Sequence, residues 1–144
     1  LTKLIILNFL KNIEIIKFII EWFENNNYKN QLHDIINIEG FCGSIFHKIC
    51  INRTNIDVLK YLIDHCEINN YHDSIGLLFK NMHYWGTTLH IVCQDPRQYF
   101  MYVNCEKIKF IDLIMEYYLT YNISIYSIDS HGNTPFHNIW NLSD

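Results

Sequence analysis

The residues best suited to chemistry in this chain are histidines and cysteines. Two pairs share one spacing, His47 with Cys50 and His90 with Cys93. A separation of three puts both side chains on one face of a helix. Imidazole and thiolate are common zinc ligands, so two such pairs hold the four donors of a tetrahedral site. The same neighbours could also form a nucleophile–base pair, in which a thiolate attacks and an imidazole moves the proton. Either chemistry needs support. A catalytic thiol needs exposure, a depressed pKa and an oxyanion donor beside it. The sequence offers no Gly-rich phosphate loop and no H-E-x-x-H zinc motif. A third histidine, His137, has Trp140 where the cysteine would stand, so the pairing is not kept. The expectation is no catalytic residue, no metal site and no cofactor.

The elements that must position these residues recur. Shifted by 43 positions, Asn12–Glu21 lies over Asn55–Asp64 with every pair identical or chemically similar. Asn26-Asn27-Tyr28 lies over Asn69-Asn70-Tyr71, Gly43 over Gly86, His47 over His90 and Cys50 over Cys93. A gapped third copy runs from Ile108 to Met115 and resumes at Gly132-Asn133-Thr134-Pro135-Phe136-His137. Ile56, Leu59, Leu62 and Ile63 fall on one helical face, with Asp57, Lys60 and Asp64 elsewhere. Asn12 and Asn55 stand where an N-terminal cap belongs. Each unit therefore reads as a short helix, a turn, a longer amphipathic helix and an extended connection. A single unit cannot bury its apolar face, whereas stacked units can.

Gly86-Thr87-Thr88-Leu89-His90-Ile91-Val92-Cys93 and Asp129-Ser130-His131-Gly132-Asn133-Thr134-Pro135-Phe136-His137 resemble the opening of the ankyrin repeat, D-x-x-G-x-T-P-L-H-x-A. Asn55–Asp64 looks like that family's second helix, and Gly43-Ser44-Ile45-Phe46-His47 keeps the outline of the turn. The departure is length, since steps of 43, 43 and 47 residues exceed the usual unit of about 33. A period of 43 also suits HEAT or armadillo arrays, but those families give no reason for the recurring turn. The resemblance implies an all-α, ankyrin-like solenoid of stacked helix pairs with turn or finger connections. It implies one repeat domain over 1–144, with units of about 1–43, 44–86 and 87–133, a partial unit 134–144, and a place in a longer array. Thr87, His47, His90, Thr134, Pro135 and His137 then form the structural repeat motif. The hydroxyls at 44, 87 and 134 cap a short helix, and Pro135 fits its first turn. The histidines and cysteines become packing residues. Helices about 10 Å apart also place the two pairs too far apart for one tetrahedral metal.

Composition agrees with a packed helical chain. Hydrophobic residues make up 49% and charged residues 18%, too apolar for a disordered chain, and Gly and Pro are scarce. Net charge is −4 and no Lys/Arg run occurs, which argues against nucleic acid as a partner. Five cysteines without a C-x-x-C pair fit a reducing, intracellular and cytoplasmic setting. No apolar run reaches the length of a membrane span, so no direct membrane insertion is expected.

Function then falls to surfaces. The insertion 94–107 carries Tyr99, Phe100, Met101 and Tyr102 in a row, and insertions in solenoids map to loops on the binding face. Turn tips at 39–41, 82–85 and 127–131 supply Tyr84, Trp85 and His131. Aromatic and Met residues are common interface anchors. The competing reading of Trp85 and of the insertion is packing on the chain's own apolar surface. The reading is a non-catalytic protein–protein interaction module, a scaffold whose partner is another protein. The rival is a structural or regulatory repeat segment of a larger channel or enzyme, and a His/Cys metal-binding domain stands third.

Overall fold

In a computed structural model the described residues are 12–40, 43–52, 55–80, 86–94 and 105–140; at 52, 105, 106 and 140 only the backbone is described. They form α-helices and no strand. The elements are α1 (Ile13–Asn25), α2 (Lys29–Ile36), α3 (Ile45–Asn52), α4 (Ile56–Ile68), α5 (His72–Phe79), α6 (Thr88–Cys93), α7 (Cys105–Thr120) and α8 (Pro135–Trp140). The chain divides into two compact units, Leu1–Leu77 and Leu78–Asp144.

In the first unit, α1 and α4 are the two long helices that the 43-residue match predicts. Asn12 Oδ1 accepts from the Glu14 and Ile15 N–H groups, and Asn55 Oδ1 accepts from the Asp57 N–H at 2.9 Å. These bonds satisfy helix-start donors that have no partner within the helix. Both helices also end alike. Asn27 (φ 61°) and Asn70 (φ 57°) take the left-handed conformation. Tyr28 N–H then donates to Phe23 C=O, and Tyr71 N–H to Cys66 C=O, at 2.8 Å each. This is the Schellman stop, with Asn where glycine is usual. α1 packs on α2 and on α4, and α3 packs on α4. Ile16, Ile20, Leu32, Ile36, Leu59 and Ile63 are buried between them.

The connection after each long helix differs from the extended chain expected from the sequence. It contains a further helix, α2 in one copy and α5 in the next. Each spans only 8 residues. Leu32 with Ile36, and Ile75 with Leu78, make a buried row one turn long. A row that short carries little periodicity, and it is tertiary burial that keeps such a helix folded.

In the second unit, α6 is buried along its whole length and packs on both α7 and α8. Phe110, Ile114 and Tyr118 form the inner face of α7, and Phe79 meets Tyr118 edge-on at 4.9 Å. Asn122 (φ 53°) closes α7 as Asn27 closes α1, with Ile123 N–H donating to Tyr118 C=O at 2.8 Å. Here no third helix follows: 121–134 has only turns and irregular chain. Thr134 precedes α8 and Pro135 is its first residue, as the sequence predicts. No helix among the described residues is long and apolar enough to cross a membrane.

Candidate protein-binding surface

The recurring turn is built from one glycine, one hydroxyl and one histidine. Gly43, Gly86 and Gly132 all have φ between 70° and 83°. A Cβ on Gly86 would lie 2.5 Å from His90 Cγ, and one on Gly43 would lie 2.8 Å from His47 Cγ. Gly43 and Gly86 thus permit both the backbone turn and the close approach of the ring, while Gly132, one residue further from its hydroxyl, has open space around it. Ser44 Oγ lies 2.8 Å from His47 Nδ1, while Thr87 Oγ1 and Thr134 Oγ1 lie 2.9 Å from His90 Nδ1 and His137 Nδ1. The Thr87 N–H also donates to His90 Nδ1, at 3.1 Å, and Thr134 N–H to His137 Nδ1, at 2.9 Å.

An N–H donating to Nδ1 requires that nitrogen to be an acceptor, so the proton of His90 sits on Nε2. From there it donates to the Asn133 C=O at 3.0 Å. Both ring nitrogens are engaged by the scaffold, and the ring is fully buried. Burial lowers the His90 pKa against the opposing influence of the Asn133 and Ser127 carbonyls and of Asp129. A neutral imidazole with no free nitrogen is neither a metal ligand nor a base. His47 is equally buried, whereas His137 is exposed.

Cys50, Cys66 and Cys93 are buried thiols. Burial pushes Cys66 up to about 12 despite a hydrogen bond with Ser74, which leaves essentially no thiolate at neutral pH. Among the described residues no three His, Cys, Asp or Glu side chains converge on a cation position. A hollow of about 20 Å³ in the first unit is walled by aliphatic side chains, Ile16, Ile20, Leu32 and Leu62 among them. It offers no polar group to orient a substrate.

Of the sequence-predicted binding residues, Tyr84, Trp85, Tyr99, Phe100, Met101 and Tyr102 lie outside the described residues, as does most of the 94–107 insertion. His131 is described and exposed. It rides on a finger that Asp129 organises. The Asp129 carboxylate accepts from the His131 N–H at 2.8 Å and the Asn133 N–H at 2.9 Å, and Asp129 N–H donates to Asn133 C=O. Partial burial raises the Asp129 pKa, but these N–H donors and the His90 and His131 rings outweigh it and hold the carboxyl below its ordinary value.

Beside His131 the connection exposes Tyr126, which the sequence reading did not single out, and Ile128, which lies in the turn tip 127–131 that it named. Tyr126 is 70% exposed and Ile128 58%, with Leu119 and Ile123 at the end of α7 also exposed. In the first unit Phe18 and Trp22 on α1 and Tyr28 just after it are exposed, with the Trp22 and Tyr28 rings stacked at 5.8 Å.

A polar network that does not recur with the repeat joins α2 to α5. His33 Nε2 lies 3.0 Å from Asp73 Oδ1, Asn37 Nδ2 donates to Asp73 Oδ2 at 2.9 Å, and Ser74 Oγ donates to Asn37 Oδ1 at 2.5 Å. The hydrogen bond from His33 holds the Asp73 carboxyl below its ordinary value. The network ties the two helices together.

Comparisons with protein-family models, with curated proteins and with solved structures gave no match for this chain.

Proposed function

We propose that this chain is a non-catalytic protein-interaction module of the ankyrin-repeat type, an intracellular, cytoplasmic scaffold that stacks its helices as a solenoid. One observation carries the reading. The Ser/Thr–His pair recurs with the same hydroxyl-to-Nδ1 bond at 44–47, 87–90 and 134–137, each preceded within two residues by a positive-φ glycine. A motif that spends its histidines on the scaffold leaves recognition to the surface beside it. There the finger presents Tyr126, Ile128 and His131 on a backbone pinned by Asp129. Rigid tips bearing aromatic and aliphatic groups suit binding, because little conformational freedom is lost on contact. The partner is another protein, neither nucleic acid nor a membrane.

The test is affinity capture and titration of the captured partner with wild type and with a Tyr126→Ala/Ile128→Ala/His131→Ala variant. Affinity is expected to fall at least about tenfold. A Tyr84→Ala/Trp85→Ala/Tyr99→Ala variant examines the tip and loop predicted from sequence in the same assay. Unchanged binding by both variants would refute the surface, provided circular dichroism shows each folded.

A further inference from the structure

His65 is a buried titratable group that the repeated turn does not use. The 43-residue shift places Trp22 at its counterpart, so no second copy of it exists. It lies in the last turn of α4 and is only 8% exposed. Its Nε2 is buried and has no hydrogen-bond partner among the described residues. Its Nδ1 faces Glu24 Oε1 on α1 at 3.9 Å and Asn69 Nδ2 at 3.4 Å. The Tyr71 ring stands edge-on to it at 6.0 Å. Buried polar atoms are nearly always paired, so a bare nitrogen here calls for a reason.

Either neutral tautomer leaves Nε2 unsatisfied, as an acceptor or as a donor. A second proton puts a hydrogen on each nitrogen and a charge on the ring. Glu24 can approach Nδ1, but nothing meets the Nε2 hydrogen. A charged donor without an acceptor costs more to bury than a neutral one. Burial accordingly lowers the His65 pKa, against the pull of Glu24 and with the push of Lys29 on α2. Among the described residues α3 and α5 bring no charge to bear on it. Water satisfies the charged ring if a neighbour withdraws, and α1 is the helix that sets a carboxylate against it. A second histidine touches the same tyrosine but sits differently. His33 on α2 lies 4.4 Å from the Tyr71 ring, with its Nε2 3.0 Å from Asp73 Oδ1 on α5. Its side chain is 27% exposed and that of Asp73 64%. A charged His33 is met by a carboxylate and by water, so acid does not part α2 from α5.

We infer that the α1–α4 joint is an acid-operated release, in which protonation of His65 lifts the last turns of α1 from α4 while α2 stays on α5. It is a local opening within the first unit and is independent of what the finger binds. The sign follows from linkage. In the open form the ring regains its ordinary 6.5, above its native value. Above pH 6.5 neither form binds the proton, and the joint keeps its full strength. With one proton per opening, each pH unit below 6.5 raises the open population about tenfold, until the native value is reached.

Hydrogen exchange read by mass spectrometry tests this on the whole chain, from about pH 7.5 to about pH 5 and corrected for the intrinsic pH dependence of amide exchange. Peptides from the second half of α1 are expected to lose protection about tenfold per pH unit below 6.5, while those of α2 and α5 keep theirs. His65→Gln takes no proton and is expected to remove the pH dependence of α1. Glu24→Gln is the second variant, used also if circular dichroism shows His65→Gln unfolded. Without that carboxylate the native ring takes its proton later, so the rise is expected to continue to lower pH than in wild type. Protection of α1 that does not change with pH overturns the inference. So do a His65→Gln variant that responds as wild type does, a Glu24→Gln variant whose rise ends where the wild type's ends, and loss of α2 protection together with α1.

Discussion

Gly86 holds a φ of +70°, and its missing Cβ leaves room for the His90 ring. Gly86→Ala is therefore expected to destabilise by about 2–4 kcal/mol, combining left-handed strain with displacement of a buried ring. Gly132 has a similar φ of +79° but open space around it, so Gly132→Ala is expected to lose only about 1 kcal/mol. Urea unfolding of the two variants separates strain from clash. The buried histidines give a pH signature. Burial lowers His90 and, against the pull of Glu24, His65 below their ordinary 6.5. The unfolded chain then binds protons more readily than the native one. Their contribution is complete above pH 6.5 and declines as pH falls through the native values. His90→Gln should flatten that part of the stability–pH curve; an unchanged slope would show that His90 does not titrate there. At the thiols, peptide mapping after iodoacetamide is expected to find Cys50, Cys66 and Cys93 unlabelled in the native protein and labelled in denaturant.

At the scale of elements, α1 and α4 were legible because 13-residue amphipathic helices carry several turns of pattern and an Asn at each end. The caps at Asn12 and Asn55 and the Pro135 start were legible for the same reason, since each is local chemistry. What escaped was the pair α2 and α5. An 8-residue helix shows one turn of apolar spacing, which a loop can match by accident, and its stability comes from burial of Leu32, Ile36, Ile75 and Leu78. The left-handed Asn stops were visible only as a recurring Asn-Asn-Tyr. Asn70→Gly is expected to be neutral or up to about 1 kcal/mol more stable, and Asn70→Val about 1–2 kcal/mol less stable, because a β-branched residue resists positive φ. Thermal denaturation measures both. Between α2 and α5, Ser74→Ala is expected to lose about 1 kcal/mol, since buried Ser74 is the donor to Asn37 Oδ1. Asp73→Asn should change less, because the Asp73 side chain is mostly exposed and its ion pair is screened.

For the molecule as a whole, the two units follow one plan with different endings. The first places a helix after each long helix, while the second leaves 121–134 irregular and apolar at its surface. The finger surface was half legible. Ile128 and His131 lie in the turn tip read from the sequence, but Tyr126 did not follow, because exposure is decided by which neighbours a segment lacks, and no local pattern records that. The structural motif rests on side chains reading backbone. His90 meets the peptide carbonyl of residue 133, and the Asp129 carboxylate meets the amides of 131 and 133. A contact made to a peptide group is blind to the side chain that the residue carries. Residues 131 and 133 can therefore drift through a lineage without loosening the seam, so mutation re-specifies the tip while the fold beneath it is inherited intact.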